Sequence, residues 1–256
     1  VAGHATRIDF MLTADGSLTV KDNGRGIPTA PHPKEPDKSA LEIIFCNLHA
    51  GGKFGGDAYS TSGGLHGVGS AVVNALSETL IVEVARNKTL HRMAFSRGKP
   101  LGPLEDAGAV SGRRGTSVAF LPDLEIFGAS ARLKPAKLLK MARSKAYLYS
   151  GVEIRWSCAE ERIGDGDDTP SSAVFPFPGG LSDYLSDRLR GAETLAAAPF
   201  SGKVSFAARF GPETPGSVEW AINWAPDRDV FVESYCNTFP TTSGGTHETG
   251  FWAAVT

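Results

Sequence analysis

The 256-residue sequence has little of what marks several common classes of protein. Its three cysteines, Cys46, Cys158 and Cys236, form no CxxC pair and no other metal-ligand spacing, which argues against a disulfide framework and a zinc site. No apolar run reaches membrane length and no secretory leader pattern is present, so we expect reduced thiols in a cytoplasmic protein without membrane partners. The formal net charge of −2 gives no general basic field for nucleic acid.

Glycine, by contrast, is abundant, with 30 residues in the chain. Eight of the nineteen residues from 51 to 69 are glycine, and the helix-like run GSAVVNALS follows at once. A helix N-terminus presents free N–H groups, and the absence of side chains lets phosphate oxygens approach them. The segment therefore indicates a phosphate cradle. A mobile linker is the alternative interpretation.

Three familiar phosphate loops do not fit this segment. A Walker loop needs Ser or Thr after its lysine, but Lys53 is followed by Phe54. The dinucleotide fingerprint needs a third glycine where Val72 stands and a hydrophobic strand just before it. The kinase glycine loop needs later HRD and DFG motifs, which the sequence lacks. The pattern indicates a cradle of a different kind.

A second motif, DNGRGIP, begins with Asp22 at the end of a predicted strand. An ionised carboxylate only accepts hydrogen bonds, so Asp22 could take an N–H of a base or a hydroxyl. Gly24 and Gly26 would let a flat ring approach the backbone. The alternative is a turn in which the aspartate caps its own backbone.

A third motif, RRGTSVAF, offers the Thr116 hydroxyl, which can both donate and accept. Taken alone, such a motif is more often simply a strand that begins after a glycine.

The patterns of polarity along the chain predict an α+β fold with a boundary near residue 180. Ser39 is expected to cap a helix that ends at the Gly51-Gly52 pair. The basic amphipathic helix at 133–149 is expected to present a solvated face, with DNA contact as the alternative. The predicted strands are 7–12, 17–21, 80–86, 89–98, 114–122, 151–158, 204–210, 218–225 and 231–237, and the other predicted helices are 69–77 and 181–189. Loops are expected at 30–39 and 161–172, and a glycine turn at 243–250 before a last apolar segment.

The order of the three motifs resembles the GHKL ATP-binding module of gyrase-type topoisomerases, Hsp90-like chaperones, histidine kinases and mismatch-repair proteins. LHAGGKF and SGGLHGVGSAVVNALS are similar to type IIA topoisomerase B subunits, and VESYCNTFPTTSGGTHETG resembles the topoisomerase IV type more than gyrase B. The resemblance covers essentially the whole chain. It implies a GHKL (Bergerat) two-layer α/β sandwich at 1–180 that lacks its N-terminal part. A partial transducer domain, like domain 2 of ribosomal protein S5, is implied at 181–256.

The resemblance also implies a binding site for ATP. Asp22 would bind the adenine amino group and share a water with Thr116, while Tyr59 would lie near the purine and Lys53 would add positive charge. The backbone N–H groups from residues 65 to 69 would hold the phosphates, His66 included. The full expected ATP-binding set is Asp22, Gly24, Gly26, Ile27, Lys53, Tyr59, Gly64, Leu65, His66, Gly67, Val68, Gly69 and Thr116. The pocket for coumarin-type inhibitors is expected to comprise Asp22, Arg25, Pro28, Arg92 and Thr116.

In activity, the resemblance implies an ATP-operated clamp with Mg²⁺ as the metal cofactor. The partners it implies are DNA, the topoisomerase A-type subunit and a second copy that dimerises when ATP binds. The family's general-base glutamate and Mg²⁺-binding asparagine are expected before Val1, and its sensor lysine after Thr256, so we expect no catalytic residue or metal ligand here and slow hydrolysis. The alternatives are gyrase B, an Hsp90- or MutL-like ATPase, and a non-catalytic nucleotide- or inhibitor-binding module.

Overall fold

The computed structural model describes residues 3–50, 66–206 and 216–255. The strands are β1 (Arg7–Leu12), β2 (Leu18–Asp22), β3 (Pro31–His32), β4 (Glu35–Ser39), β5 (Ser77–Arg86), β6 (Thr89–Ser96), β7 (Lys99–Pro100), β8 (Glu105–Ala109), β9 (Gly115–Pro122), β10 (Glu153–Cys158), β11 (Ser172–Phe175), β12 (Phe200–Phe206), β13 (Gly216–Ile222), β14 (Tyr235–Cys236) and β15 (Phe239–Pro240). The helices are α1 (Ala40–Cys46), α2 (Gly69–Ala75), α3 (Leu124–Phe127), α4 (Pro135–Leu148), α5 (Leu181–Arg188) and α6 (Thr246–Val255).

A nine-stranded mixed sheet forms the centre of the fold. Its order is β11-β10-β1-β2-β9-β5-β6-β7, and β8 also pairs with β6. The β1–β10 pair is parallel, while the other pairs in the sheet are antiparallel. The α+β prediction is confirmed, and most of the predicted strands of the first 180 residues lie in this one sheet.

One face of the sheet carries the helices. Leu41 and Phe45 of α1 pack against Leu80, Val82 and Phe95, all of which are buried. Residues from α4 and α5 pack farther along the same face, against β1, β2 and β10. This gives the two layers that the resemblance implies, since alternate residues of each strand supply the apolar surface beneath the helices.

Two local predictions about chain turns are confirmed in atomic detail. The Asp15-Gly16 turn joins β1 to β2, with Gly16 at φ +93°, and the Asp15 carboxylate accepts hydrogen bonds from the Ser17 N–H and hydroxyl. Ser39 caps α1 by accepting from the Glu42 N–H at 3.1 Å. However, α1 ends at Cys46, well before the predicted glycine pair.

Several segments expected to be loops are ordered, and some expected strands are shorter. The Pro-rich stretch after residue 29 forms the β3–β4 hairpin. Residues 160–162 form a 3₁₀ turn, and Asp167 caps the backbone N–H of Thr169 at 3.0 Å. The strand predicted at 231–237 is reduced to the two residues of β14. The last apolar segment belongs to α6, which begins inside the predicted glycine turn, because a short apolar run does not distinguish strand from helix.

The basic helix α4 does not simply present a solvated face. Arg143 forms an ion pair with Asp187 of α5 and lies over the Tyr184 ring at 5.3 Å. Lys145 donates to the Thr238 carbonyl at 2.9 Å. Lys134 and Lys137 are exposed, as expected. Within the described ranges, no helix is both long and apolar enough to cross a membrane.

Candidate functional site

The second and third motifs meet where two neighbouring central strands, β2 and β9, have adjacent ends. β2 and β9 are antiparallel, with Lys21 opposite Ser117. The next residues along the two strands, Asp22 and Thr116, therefore lie side by side. Thr116 is also in register with Val84 of β5. Since side chains alternate along a strand, Asp22, Thr116 and Val84 all face the helix-covered side of the sheet. Two motifs 94 positions apart in the chain therefore form one site.

The Asp22 carboxylate caps its own turn and can still accept a hydrogen bond from a ligand. Its Oδ1 accepts from the Gly24 N–H at 2.7 Å, which is the capped turn of the alternative interpretation. A Cβ on Gly24 would lie 2.8 Å from that oxygen, so a side chain there would displace the Asp22 carboxylate. A carboxylate has about four lone-pair sites. The Asp22 side chain, which is partly exposed, can therefore hold this turn and still accept from a ligand.

Thr116 does more than begin a strand. Its hydroxyl accepts from the Ile27 N–H at 3.1 Å, which leaves the O–H able to donate elsewhere. Thr116 is only 7% exposed. Gly26, at φ +74°, passes so close to Val84 that an added Cβ would lie 3.0 Å from its Cγ1. The Gly26–Ile27 backbone is thus held flat against the end of β5 and β9.

Sequence reasoning missed Gly115, which decides how closely the motifs approach. Gly115 has φ +107°, and a Cβ there would lie 2.7 Å from the Asp22 carbonyl carbon and closer still to its oxygen. Only glycine tolerates both that dihedral angle and that approach. The Gly-Thr pair in RRGTSVAF was the available signal, but the neighbour that makes glycine necessary is distant in sequence.

Asn23 was also missed. Its Oδ1 accepts from the N–H groups of Thr6 and Arg7 at 2.9 and 3.0 Å, and its Nδ2 donates to the Thr6 hydroxyl. These bonds attach the Asp22 turn to the start of β1. No local pattern indicates this role, because asparagine in a turn usually bonds its own neighbours.

A cleft of about 570 Å³ lies beside the Asp22 turn. Its cationic lining residues are Arg25, Arg86, Lys88, Arg113 and Arg114, and the remainder are Gly24, Ala85, Asn87, Val110, Ser111 and Gly112. Arg113 forms an ion pair with Glu83 at 2.6 Å. The surplus of positive charge favours an anionic or electron-rich ligand.

Of the residues predicted to form the inhibitor pocket, Arg25 lines this cleft but Arg92 does not. Arg92 is in register with Glu83, and so lies on the face of the sheet opposite Asp22. The arginine that the structure brings to the site is Arg86, whose guanidinium donates to the Gly26 carbonyl at 2.8 Å. Alternation along β5 from Val84 could have identified it. Pro28 lies on the same loop and is exposed.

The glycine segment is described from His66 onward, so Lys53, Tyr59, Gly64 and Leu65 lie outside the described residues. The His66 carbonyl lies 3.0 Å from Nδ1 of His49. The predicted helix begins at Gly69, and no side chain caps its N-terminus at Val68. A Cβ on Gly69 would meet no heavy atom within 4 Å. Among the described residues, no side chain therefore fills the space beside the first turn of α2.

Helix α2 is attached firmly behind this opening. Ser70 donates to the Ile44 carbonyl at 2.8 Å, and the fully buried Asn74 donates to the Phe45 carbonyl at 2.9 Å. Both bonds join α2 to α1. The helix is thus a fixed element directly after the glycine segment.

Two family profiles match the chain. Residues 2–126 match the family of histidine kinase-, DNA gyrase B- and HSP90-like ATPases, and residues 180–256 match DNA gyrase B.

Curated relatives extend the similarity to the full chain. The B subunit of DNA topoisomerase 4 from Caulobacter vibrioides is 55% identical over 100% of this chain and 36% of the relative. The corresponding subunits of Bartonella bacilliformis and Rickettsia bellii are 54% and 46% identical, over 98% and 100% of this chain and 35% and 38% of their own lengths. The chain thus spans little more than a third of the relatives that it matches.

Among solved structures, the fold is similar to the 43K ATPase domain of Thermus thermophilus gyrase B in complex with an aminocoumarin. The TM-score is 0.77 at 37% sequence identity, over 99% of this chain and 60% of that one.

Proposed function

Because the chain belongs to the type IIA topoisomerase B-subunit family and has a GHKL-type ATPase fold, we propose that it forms the ATP-binding gate of a bacterial type II DNA topoisomerase. The topoisomerase IV type is favoured over gyrase B by the curated relatives. In the parent protein, ATP binding would close two copies around a DNA segment and hydrolysis would reopen them. Its partners would be DNA and an A-type subunit, in the cytoplasm.

The observation that supports this proposal best is the joint arrangement of Asp22, Thr116 and the Gly26–Ile27 backbone. A purine needs one acceptor for its exocyclic N–H and a flat surface for its ring. Asp22 supplies the acceptor, and the Gly26–Ile27 backbone, held close against Val84, would supply the surface beside it. Thr116, which already accepts from Ile27, is placed to donate to a water shared with Asp22.

The phosphates would lie at the glycine segment. There the N–H groups from His66 to Gly69 would donate to phosphate oxygens, and the uncapped N-terminus of α2 would favour negative charge. Mg²⁺ would neutralise part of the triphosphate charge. Within residues 3–50, 66–206 and 216–255, no group of three or more His, Cys, Asp or Glu side chains could hold a metal ion. We therefore assign no metal ligand to these residues.

The proposal includes the domain bounds and the inhibitor pocket. The nucleotide-binding domain would occupy 1–180 and a partial transducer domain 181–256. The inhibitor pocket would use Asp22, Arg25, Pro28, Arg92 and Thr116, and Arg86, which donates to the Gly26 carbonyl, would border it. The match of 180–256 to DNA gyrase B disfavours an Hsp90- or MutL-like ATPase.

Calorimetric titration of the 256-residue chain with a non-hydrolysable ATP analogue tests the proposal. We expect Asp22→Asn to weaken binding at least about tenfold, because a charged acceptor is lost from a half-buried site. The matched control is Asp37→Asn, whose carboxylate is exposed on β4. Equal affinities for the wild type and Asp22→Asn would reject the role of Asp22. Measuring turnover separately from affinity would distinguish a binding module from an active ATPase.

A further inference from the structure

A single carboxylate joins three elements that are far apart in the chain. Oε2 of Glu233 accepts hydrogen bonds from the hydroxyls of Tyr147, Tyr184 and Tyr235, at 3.2, 3.1 and 3.0 Å. Tyr147 belongs to α4 and Tyr184 to α5. The Tyr147 and Tyr235 hydroxyls also lie within hydrogen-bond distance of each other, so one of these two hydroxyls shares its single proton between the other hydroxyl and Glu233. We call these four residues the Glu233 cluster.

The aromatic rings of the cluster are closely packed. The Tyr147 and Tyr184 rings stack with centroids 3.9 Å apart, and Tyr235 meets Tyr147 edge-on at 5.9 Å. Tyr147 is 4% exposed and Tyr184 8%. Their hydroxyls therefore depend on partners within the protein, since an unpaired buried donor is costly.

Residues 233–240, which we call the strap, touch α4 at a second place. Lys145 donates to the Thr238 carbonyl at 2.9 Å and lies over the Phe239 ring at 5.4 Å. The Tyr149 hydroxyl lies 3.2 Å from the Thr238 hydroxyl. On its other side the strap is tied to α6, because Ser234 donates to Glu248 at 2.7 Å. The strap thus connects α4 with α6, the last helix of the described residues after 180, which we call the second region.

The charge of Glu233 is balanced mainly by hydroxyl donors. Its side chain is 22% exposed, and the ammonium of Lys140 lies 3.9 Å away on a side chain that is 78% exposed. Burial raises the pKa of Tyr147 and Tyr184, and raises that of Tyr235 to about 12. The three phenols therefore stay protonated as donors at neutral pH.

We propose that Glu233 is a positioning residue that fixes the strap, and with it helix α6, on the nucleotide-binding region. The Glu233 cluster acts as a joint that needs a charged acceptor, because one neutral amide oxygen cannot satisfy three phenolic donors equally well.

This joint is physically continuous with the proposed nucleotide site. Helix α4 packs against β10, and β10 pairs in parallel with β1. The start of β1 is bonded by Asn23 to the Asp22 turn. Resting here on the proposed function, we expect the joint to be one point through which nucleotide-dependent rearrangement reaches the second region.

Hydrogen exchange on the nucleotide-free chain tests the joint itself. In Glu233→Gln we expect peptides covering 234–241, where Thr241 N–H donates to the Ser234 carbonyl, to exchange about tenfold faster or more. Peptides from β5 should change much less. Tyr184→Phe removes one donor and keeps the ring stack, so it should give a smaller increase in the same peptides. Glu193→Gln is the control, since Glu193 is in the same region and forms no part of the cluster.

Unchanged exchange at 234–241 in Glu233→Gln would overturn the proposal. So would an acceleration spread evenly over the whole chain in both Glu233→Gln and Tyr184→Phe, because a joint must open locally.

A second experiment uses the full-length parent with its partner subunit. We expect Glu233→Gln to leave nucleotide affinity within about twofold while DNA strand passage per ATP hydrolysed falls about fivefold or more. Equal losses in affinity and strand passage would contradict a positioning role. Absence of strand passage in the unmutated parent would reject the proposed function. The hydrogen-exchange result would still test whether Glu233 fixes the strap.

Discussion

Asp22, the last residue of β2, and Glu233, two residues before β14, are both carboxylates, yet they are used in opposite ways. Asp22 accepts a hydrogen bond from its own turn, on a partly exposed side chain. Glu233 accepts from three tyrosine hydroxyls drawn from three elements. A carboxylate with spare acceptor capacity suits a ligand, and a saturated one suits a joint. Their contrast separates binding from positioning in this chain.

The largest effect expected at the Asp22 site comes from Gly115→Ala. The added Cβ would overlap the Asp22 backbone at a φ of +107°, so we expect a loss of about 3 kcal/mol or more in the free energy of unfolding. Gly108→Ala is the matched control, because Gly108 has φ +97° with no heavy atom within 4 Å. It should cost about 1 kcal/mol. If denaturant titrations gave equal losses of stability for the two variants, backbone strain alone would explain the effect, without the contact with Asp22.

A smaller loss is expected for Asn23→Ala. This change removes three hydrogen bonds between the Asp22 turn and β1. We expect about 1.5 kcal/mol of lost stability, because the bonds are partly solvated. Nucleotide affinity should fall as well, since the turn loses its attachment. A variant that lost stability but bound nucleotide normally would show that the Asp22 turn holds its shape without β1.

Acid should weaken the turn between β1 and β2. Hydrogen bonds from Thr13 and Ser17 lower the pKa of Asp15 from 3.8 to about 2. A lowered folded-state pKa means that the contribution is present above about pH 4 and is lost as pH falls toward 2. The group is largely exposed, so we expect less than about 1 kcal/mol. In denaturant titrations, Asp15→Asn should therefore destabilise the chain near neutral pH and make little difference in strong acid.

The smallest effect should be that of Asp22→Asn on stability. The amide oxygen can still accept from the Gly24 N–H, so we expect a change below about 0.5 kcal/mol, measured by denaturant titration beside the loss of nucleotide affinity. Exchange in the strap should also be unchanged. A large loss of stability would mean that Asp22, like Glu233, is mainly structural.

The parts of the fold that were predicted correctly depend on short-range patterns. The Asp15-Gly16 turn, the Ser39 cap and the start of α2 at Gly69 are decided within a few residues. The prediction that 231–237 is a strand was wrong because residues there are held by α4 and α5, as Glu233 illustrates. The strands predicted at 204–210 and 218–225 correspond to the paired strands β12 and β13, which begin earlier, at Phe200 and Gly216.

By itself, the sequence determined the three motifs, the order of elements and the acceptor at Asp22, because each depends on residue type and local spacing. Only the tertiary structure decided that Arg86 rather than Arg92 reaches the Gly26 loop, that Gly115 must lack a side chain, and that Glu233 joins three tyrosines. These facts depend on strand register and on contacts between residues about 50 to 90 positions apart. Neither strand register nor such long-range contacts can be read from a short stretch of sequence.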